Sequence, residues 1–161
     1  MKTVVGFGDY MLRLNPEGYL KFFQADNFVI NYTGAEGNVL TSLSYMGVPT
    51  QLVTKLPKND IAECAVGNLK RFGVGVEHIA FGGDRIGLFY AEKGASQRPS
   101  KIVYDRKYSS FSTCEAEDFD WDKFSTVQDI SISRESLPPL AETFPKFALK
   151  PAKRQKARGS L

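Results

Sequence analysis

Apolar positions along this chain recur with two different periods, and the change from one to the other predicts the elements. Thr3-Val4-Val5-Gly6-Phe7 and Phe28-Val29-Ile30-Asn31-Tyr32 are short β-rich apolar runs flanked by polar residues and glycine, the pattern of strands. After Gly34 the spacing changes. Val39, Leu40, Leu43 and Met46 recur at steps of three and four until Gly47, just ahead of Pro49, which predicts a helix with a glycine stop. Gln51-Leu52-Val53-Thr54 gives another strand. Ile61, Cys64, Ala65, Leu69 and Phe72 then mark one face of a second helix, capped by Asn59 or Asp60 and closed by Gly73. With His78-Ile79-Ala80 as the next strand, the order is β-α-β-α-β, which favours an α/β fold with a parallel sheet and right-handed crossovers. From Gly82 the style shifts to turn chemistry. The runs 86–91 and 101–105, separated by a glycine-rich polar loop, predict a hairpin projecting from the layered body. Asp120-Trp121-Asp122-Lys123-Phe124 has the form of a capped helix start, and no sustained period follows it.

The 161 residues suffice for one domain with a real core, and 42% hydrophobic content is ordinary for a soluble protein. No apolar run reaches the ~18–20 residues of a membrane-spanning helix, and no signal-peptide core follows Met1, so the expectation is a cytoplasmic protein without a membrane partner. Cys64 and Cys114 form no C-x-x-C pair and read as buried free thiols. The net charge of +3 is unevenly spread: residues 1–129 carry 14 Lys+Arg against 16 Asp+Glu, whereas residues 130–161 carry 7 against 2. Lys153, Arg154, Lys156 and Arg158 lack interleaved aromatics and any nucleic-acid motif, so a solvated tail is expected and nucleic acid is not.

Several stretches together resemble one family, the ribokinase-like (pfkB) carbohydrate kinases. They are 5–14 (Val-Gly-Phe-Gly-Asp-Tyr-Met-Leu-Arg-Leu), 34–39 (Gly-Ala-Glu-Gly-Asn-Val), 56–60 (Leu-Pro-Lys-Asn-Asp), 72–79 (Phe-Gly-Val-Gly-Val-Glu-His-Ile) and 98–106 (Arg-Pro-Ser-Lys-Ile-Val-Tyr-Asp-Arg). The last looks like the 2-keto-3-deoxygluconate kinase branch. The resemblance covers residues 1 to about 125, roughly the first half of a family member. It implies a parallel sheet with flanking helices plus a small β-sheet lid, with lid strands at about 10–24 and 85–106, truncated after the N-terminal half. The family sequence often has Gly-Gly where Thr33-Gly34 stands, Ala at Gly37 and Glu at Asp9.

A keto-sugar acid needs hydroxyl-binding donors and a fixed cation for its carboxylate. Arg106 is the candidate, because its planar fork matches a carboxylate; a surface ion pair with Asp105 fits the spacing equally well, and the resemblance favours the ligand role. Tyr104, two residues earlier on a strand, is expected on the same face, and Tyr90 on the partner strand is expected to line it too, although lid packing alone also fits both tyrosines. Gly34, Ala35 and Asn38 lie between strand and helix, where small residues admit a ligand to free N–H groups. An ordinary turn with an N-cap is the plain alternative. The resemblance places Met11 and Arg13 beside the sugar, whereas pattern alone makes Met11 core. Gly6-Phe7-Gly8 lacks the Lys-Ser/Thr of a phosphate loop and reads as a strand end. His78, the single histidine, has no nucleophile motif and reads as structural. The acids at 115–122 lack calcium-loop spacing and read as a solvated loop.

The resemblance further implies ATP and Mg²⁺ for the parent family, a catalytic Asp in a Gly-Ala-Gly-Asp motif, and pairing of two copies through their lids. That motif does not occur in this sequence, so no cofactor is expected to bind this chain and it is expected to be inactive alone. Kinases of other sugars, such as fructose or ribose, and a non-catalytic sugar-acid-binding remnant are the rival readings. Residues 130–161 are expected to be a non-family basic tail. Re-reading codons 130–140 one base out of frame permits a family-like Phe-His-Ile-Ser-Gly-Ile-Thr-Pro-Ala-Leu, the pattern of a frameshift.

Overall fold

A computed structural model describes residues 3–120 and the backbone of 129–132. The expected helix start at 120–124 and the basic tail beyond 132 lie outside the described residues.

Among the described residues there are two four-stranded sheets. The first is wholly parallel, with β1 (Val4–Phe7), β4 (Thr50–Leu56), β5 (Ile79–Phe81) and β8 (Asp129–Ile132) in the order β5-β4-β1-β8. The second is mixed: β2 (Met11–Pro16), β3 (Phe28–Thr33), β6 (Leu88–Glu92) and β7 (Lys101–Asp105) in the order β3-β2-β6-β7. The expected α/β class with a lid is therefore present, with one reassignment. The 28–32 run belongs to the lid, antiparallel to β2, and not to the parallel series. Its alternation could report a strand but not its partner. Residues 22–24 form a 3-10 turn, so the first lid strand stops at Pro16.

Helices α1 (Ala35–Tyr45) and α2 (Asp60–Arg71) carry the crossovers. Asn59 caps α2, its side chain accepting from the Ala62 N–H. Gly47 and Gly73 end the helices at φ +79° and +73°. Each sits in a Schellman turn: Val48 N–H donates to Leu43 O and Val74 N–H to Leu69 O. The buried stripe of α2 is Ala62, Ala65 and Leu69, while Ile61 and Cys64 are exposed. The stripe is thus turned one position from the expected face, because two alanines let the helix approach the sheet closely. Of the two thiols expected to be buried, only Cys114 is.

The parallel sheet is covered on both faces, as its geometry demands. On one face Leu52 and Leu56 pack with Leu40, Ala62, Ala65, Leu69 and Val74. On the other, Val5, Phe7 and Val53 meet Phe111, Cys114 and Phe119, with the Phe7 ring 5.5 Å from Phe111 and 5.3 Å from Phe119. Each fully buried Val, Leu or Phe side chain contributes ~1.5–3 kcal/mol. Lys55 on β4 binds Asp118 at 2.7 Å. The acidic segment is therefore tied to the sheet at that point and is not simply solvated. Partial burial acts upward on the Asp118 carboxyl, but the Lys55 hydrogen bond, the Glu115 backbone N–H and the Lys55 charge together outweigh it and hold the group below its usual range. The boundary expected at 129/130 falls inside a strand, since the β1–β8 pairing runs from Val4↔Asp129 to Phe7↔Ile132.

Candidate substrate site

The register of the lid decides which side chains share a face. Arg13 on β2 stands opposite Asn31 on β3 and Phe89 on β6, and Phe89 stands opposite Tyr104 on β7. Directly opposed residues lie on one side of a sheet, and their i±2 neighbours join them. One face therefore carries Met11, Arg13, Asn31, Thr33, Phe89 and Tyr104. Its rings are in contact: Phe89 and Tyr104 have centroids 5.7 Å apart. The Arg106 guanidinium carbon lies 5.0 Å from the Tyr104 ring centre, a cation–π stack. Arg106 and Tyr104 thus share a face as expected.

Tyr90 does not share it. Its register partner is Val103, and its ring meets Phe28 at 6.0 Å on the opposite side of the lid. The expectation that Tyr90 and Tyr104 line one face is corrected: Phe89, one residue earlier, takes that place. The hairpin register sets this parity, and the register depends on how the 93–100 loop closes. Asp105, the alternative ion-pair partner for Arg106, accepts from Arg85 at 3.0 Å.

The N-terminus of α1 closes one end of this face. Thr33 donates from its hydroxyl to the Asn38 side-chain oxygen at 2.8 Å, and Asn38 is exposed, as is Ala35. The Arg13 Nε is buried and makes no hydrogen bond. Met11 is 8% exposed and packs toward Gly87, so it is core at the edge of the face, compatible with both sequence readings.

Gly34 is small for a reason the pattern did not reveal. A Cβ there would strike the Asp9 carbonyl oxygen. Its φ of −168° is ordinary extended backbone, so the constraint is room, not conformation. Gly37 answers to the Tyr10 ring, whose Cε2 would lie 2.6 Å from an added methyl. Tyr10 is in turn anchored by donating to the Asn68 side-chain oxygen at 2.8 Å.

These glycines surround two acids that the sequence pattern did not single out. Asp9 and Glu36 are 3% and 4% exposed. Gly8 leaves space for the Glu36 carboxyl. Gly87 leaves space between the Asp9 Oδ2, 3.1 Å from where its Cβ would be, and the Arg106 Cβ at 3.4 Å. Burial pushes the Asp9 carboxyl up to about 7; Arg106 opposes that rise, Glu36 adds to it, and the Tyr10 backbone N–H opposes it. The candidate site is therefore an arginine-bearing aromatic face standing on a buried acidic floor. The available signal was the clustering of Gly8, Gly34 and Gly37 about Asp9 and Glu36.

A separate hollow of about 160 Å³ is lined by 77–80 and 118–120 and contains His78. Among the described residues no three His, Cys, Asp or Glu side chains converge as a metal site, and the sequence has no Gly-x-x-x-x-Gly-Lys loop. No helix among the described residues is long and apolar enough to cross a membrane.

Comparison with known proteins places this geometry. The profile of the pfkB family carbohydrate kinases matches residues 1–160, beyond the limit of about 125 read from motifs. The chain is 43% identical to a 2-dehydro-3-deoxygluconokinase from Thermotoga maritima, with a TM-score of 0.90 over 99% of this chain and 49% of that one. A pfkB family carbohydrate kinase from Listeria grayi is 30% identical, with a TM-score of 0.89 over 98% of this chain and 49% of that one. A 2-dehydro-3-deoxygalactonokinase from Haloferax volcanii is 29% identical over 143 residues, covering 87% of this chain and 44% of that protein. The chain thus spans about half the length of these relatives.

Proposed function

The chain belongs to the pfkB family of carbohydrate kinases, and on that footing we propose that it forms the sugar-binding part of a kinase for 2-keto-3-deoxygluconate or a closely related sugar acid. The observation that carries this reading is the stacked Arg106–Tyr104 pair on the face that also holds Arg13. Two cations beside flat aromatic surface, with the half-buried Asn31 amide and the exposed Asn38 amide, suit a small polyhydroxy acid. Arg106 offers two parallel donors to the carboxylate. Phe89 and Tyr104 cover the apolar side of the carbon chain, and Asn31 and Asn38 supply donors and acceptors for hydroxyls.

ATP and Mg²⁺ belong to the parent reaction, in which catalysis is largely positioning and charge stabilisation of the transferred phosphoryl group. The described residues provide the acceptor's side of that arrangement. The family's Gly-Ala-Gly-Asp motif does not occur in this sequence, and on that ground the chain by itself is expected to transfer no phosphoryl group. We further propose that two copies pair through the lid, whose edge strands expose Val29, Ile30, Ile102 and Val103.

Calorimetry of the chain with 2-keto-3-deoxygluconate, fructose and ribose tests the substrate class. The sugar acid is expected to bind and the two neutral sugars to bind roughly tenfold more weakly or worse, the worth of one charge-assisted hydrogen bond. Equal affinity for fructose, or preference for it, would move the assignment to a neutral-sugar kinase.

A further inference from the structure

The acidic floor beneath Arg106 is not needed to hold a sugar. Burying a carboxylate is costly unless a partner offsets it, and here two carboxyls are buried side by side. Three glycines make the room for them: Gly8 against Glu36, Gly34 against the Asp9 backbone, and Gly87 between the Asp9 carboxyl and the Arg106 stem.

We propose that Asp9 is a positioning residue acting through Arg106: its carboxyl shares the guanidinium's charge before the sugar acid arrives, and takes up a proton when the sugar carboxylate docks. This rests on the reading of Arg106 as the carboxylate-binding residue. Three charged or titratable groups among the described residues face Asp9. Arg106 approaches from the end of β7, Glu36 from α1, and Cys114 from the segment after the lid. Cys114, pushed up to about 12 chiefly by burial, stays neutral at ordinary pH.

An anion brought to Arg106 weakens the cation that opposes the rise of Asp9 and adds negative charge nearby, so both effects favour protonated Asp9. Linkage makes the coupling reciprocal: ionising Asp9 as the pH rises must weaken sugar-acid binding. Proton uptake on binding is therefore largest near the midpoint of Asp9, about 7. Burial, with the Glu36 carboxyl adding to it, keeps that midpoint high enough to matter near neutrality.

Two arms on the full chain test this. In the first, the Asp9 carboxyl is followed by carbon-13 NMR from about pH 5 to 9 in the wild type, Arg106→Gln and Arg106→Lys. The midpoint should move up in Arg106→Gln and stay near the wild type in Arg106→Lys. An unmoved midpoint in a folded Arg106→Gln chain overturns the proposal without any sugar present. In the second, calorimetry with 2-keto-3-deoxygluconate should show binding roughly tenfold tighter at about pH 6 than at about pH 8. Asp9→Asn should bind with no such pH dependence. A flat wild-type profile, or an Asp9→Asn profile that still falls with pH, overturns it. If no sugar acid binds at either pH, the substrate reading fails and the first arm alone decides the Asp9–Arg106 coupling.

Discussion

Replacing Gly34 by alanine is expected to unfold this protein more than it impairs any ligand contact. A methyl group at residue 34 would be driven into the Asp9 carbonyl oxygen, with the Asp9 carbonyl carbon 3.2 Å away. The obstacle is backbone. It cannot rotate aside as a side chain would, so the β1–β2 turn must separate from the start of α1. Overpacking of this kind costs ~1–3 kcal/mol, and an immovable neighbour puts the figure at the upper end, about 3 kcal/mol. Gly67 provides the control, because it lies inside α2 with nothing within 4 Å of its would-be Cβ. Gly67→Ala should stabilise by ~0.5–1 kcal/mol through helix propensity alone. The same chemical change is thus expected to act with opposite signs, about 4 kcal/mol apart. Urea unfolding followed by circular dichroism reads this as a lower midpoint for Gly34→Ala and a higher one for Gly67→Ala at a common slope. If Gly34→Ala kept the wild-type midpoint and lost only sugar affinity, the chain-on-chain explanation would be wrong and the residue would be small for the ligand.

Asp9 leads to a pH prediction whose sign follows from its raised value. Between an ordinary 3.8 and about 7 the folded chain holds a proton that the unfolded chain has released, so the contribution of Asp9 to stability falls as pH rises through that window. The difference in unfolding free energy between Asp9→Asn and the wild type should therefore grow by a few kcal/mol from about pH 4 to about pH 8. A difference independent of pH would contradict the burial of an acid there. Arg106→Ala should weaken sugar-acid binding by about 1.5–3 kcal/mol, or roughly tenfold to a hundredfold, while leaving the urea midpoint within experimental spread at about pH 5, where Asp9 is protonated with or without Arg106. Unchanged affinity in calorimetry would return Arg106 to a surface role. Sedimentation velocity should show a concentration-dependent dimer that Ile30→Asp and Val103→Asp disperse; a monomer at every concentration would remove the lid-pairing proposal. Incubation with ATP, Mg²⁺ and 2-keto-3-deoxygluconate should yield no phosphorylated sugar, and stoichiometric product from the purified chain would refute that.

The sequence was informative wherever the signal is local. Helix caps at Asn59, Gly47 and Gly73 follow from single side chains and backbone conformations, and each is where the pattern put it. Non-local pairing was less legible. The apolar run at 28–32 declared a strand, but only assembly shows that it joins the lid. In α2 the expected face held Ile61 and Cys64 together with Ala65 and Leu69, whereas packing keeps Ala65 and Leu69 and selects Ala62 in place of Ile61 and Cys64, because small residues let helix and sheet meet. Tyr90 shows the sharpest limit. With a side-chain period of two, a one-residue difference in register exchanges Tyr90 for Phe89 on the site face. The acid pair was missed because Asp and Glu are read as exposed by default, and only the glycines packed about them reveal otherwise.

Everything proposed for the sugar acid depends on its docking against the face that carries Arg13, Phe89, Tyr104 and Arg106. Titrating 2-keto-3-deoxygluconate into the isotopically labelled chain, with its amide NMR signals followed residue by residue, locates the ligand without relying on turnover. Shifts should concentrate at Arg13, Asn31, Asn38, Phe89, Tyr104 and Arg106, while Phe28, Tyr90 and Val103 on the far face change little. Shifts centred on Tyr90 and Val103, or on the hollow at 77–80 and 118–120, would place the ligand elsewhere and overturn the assignment of the site.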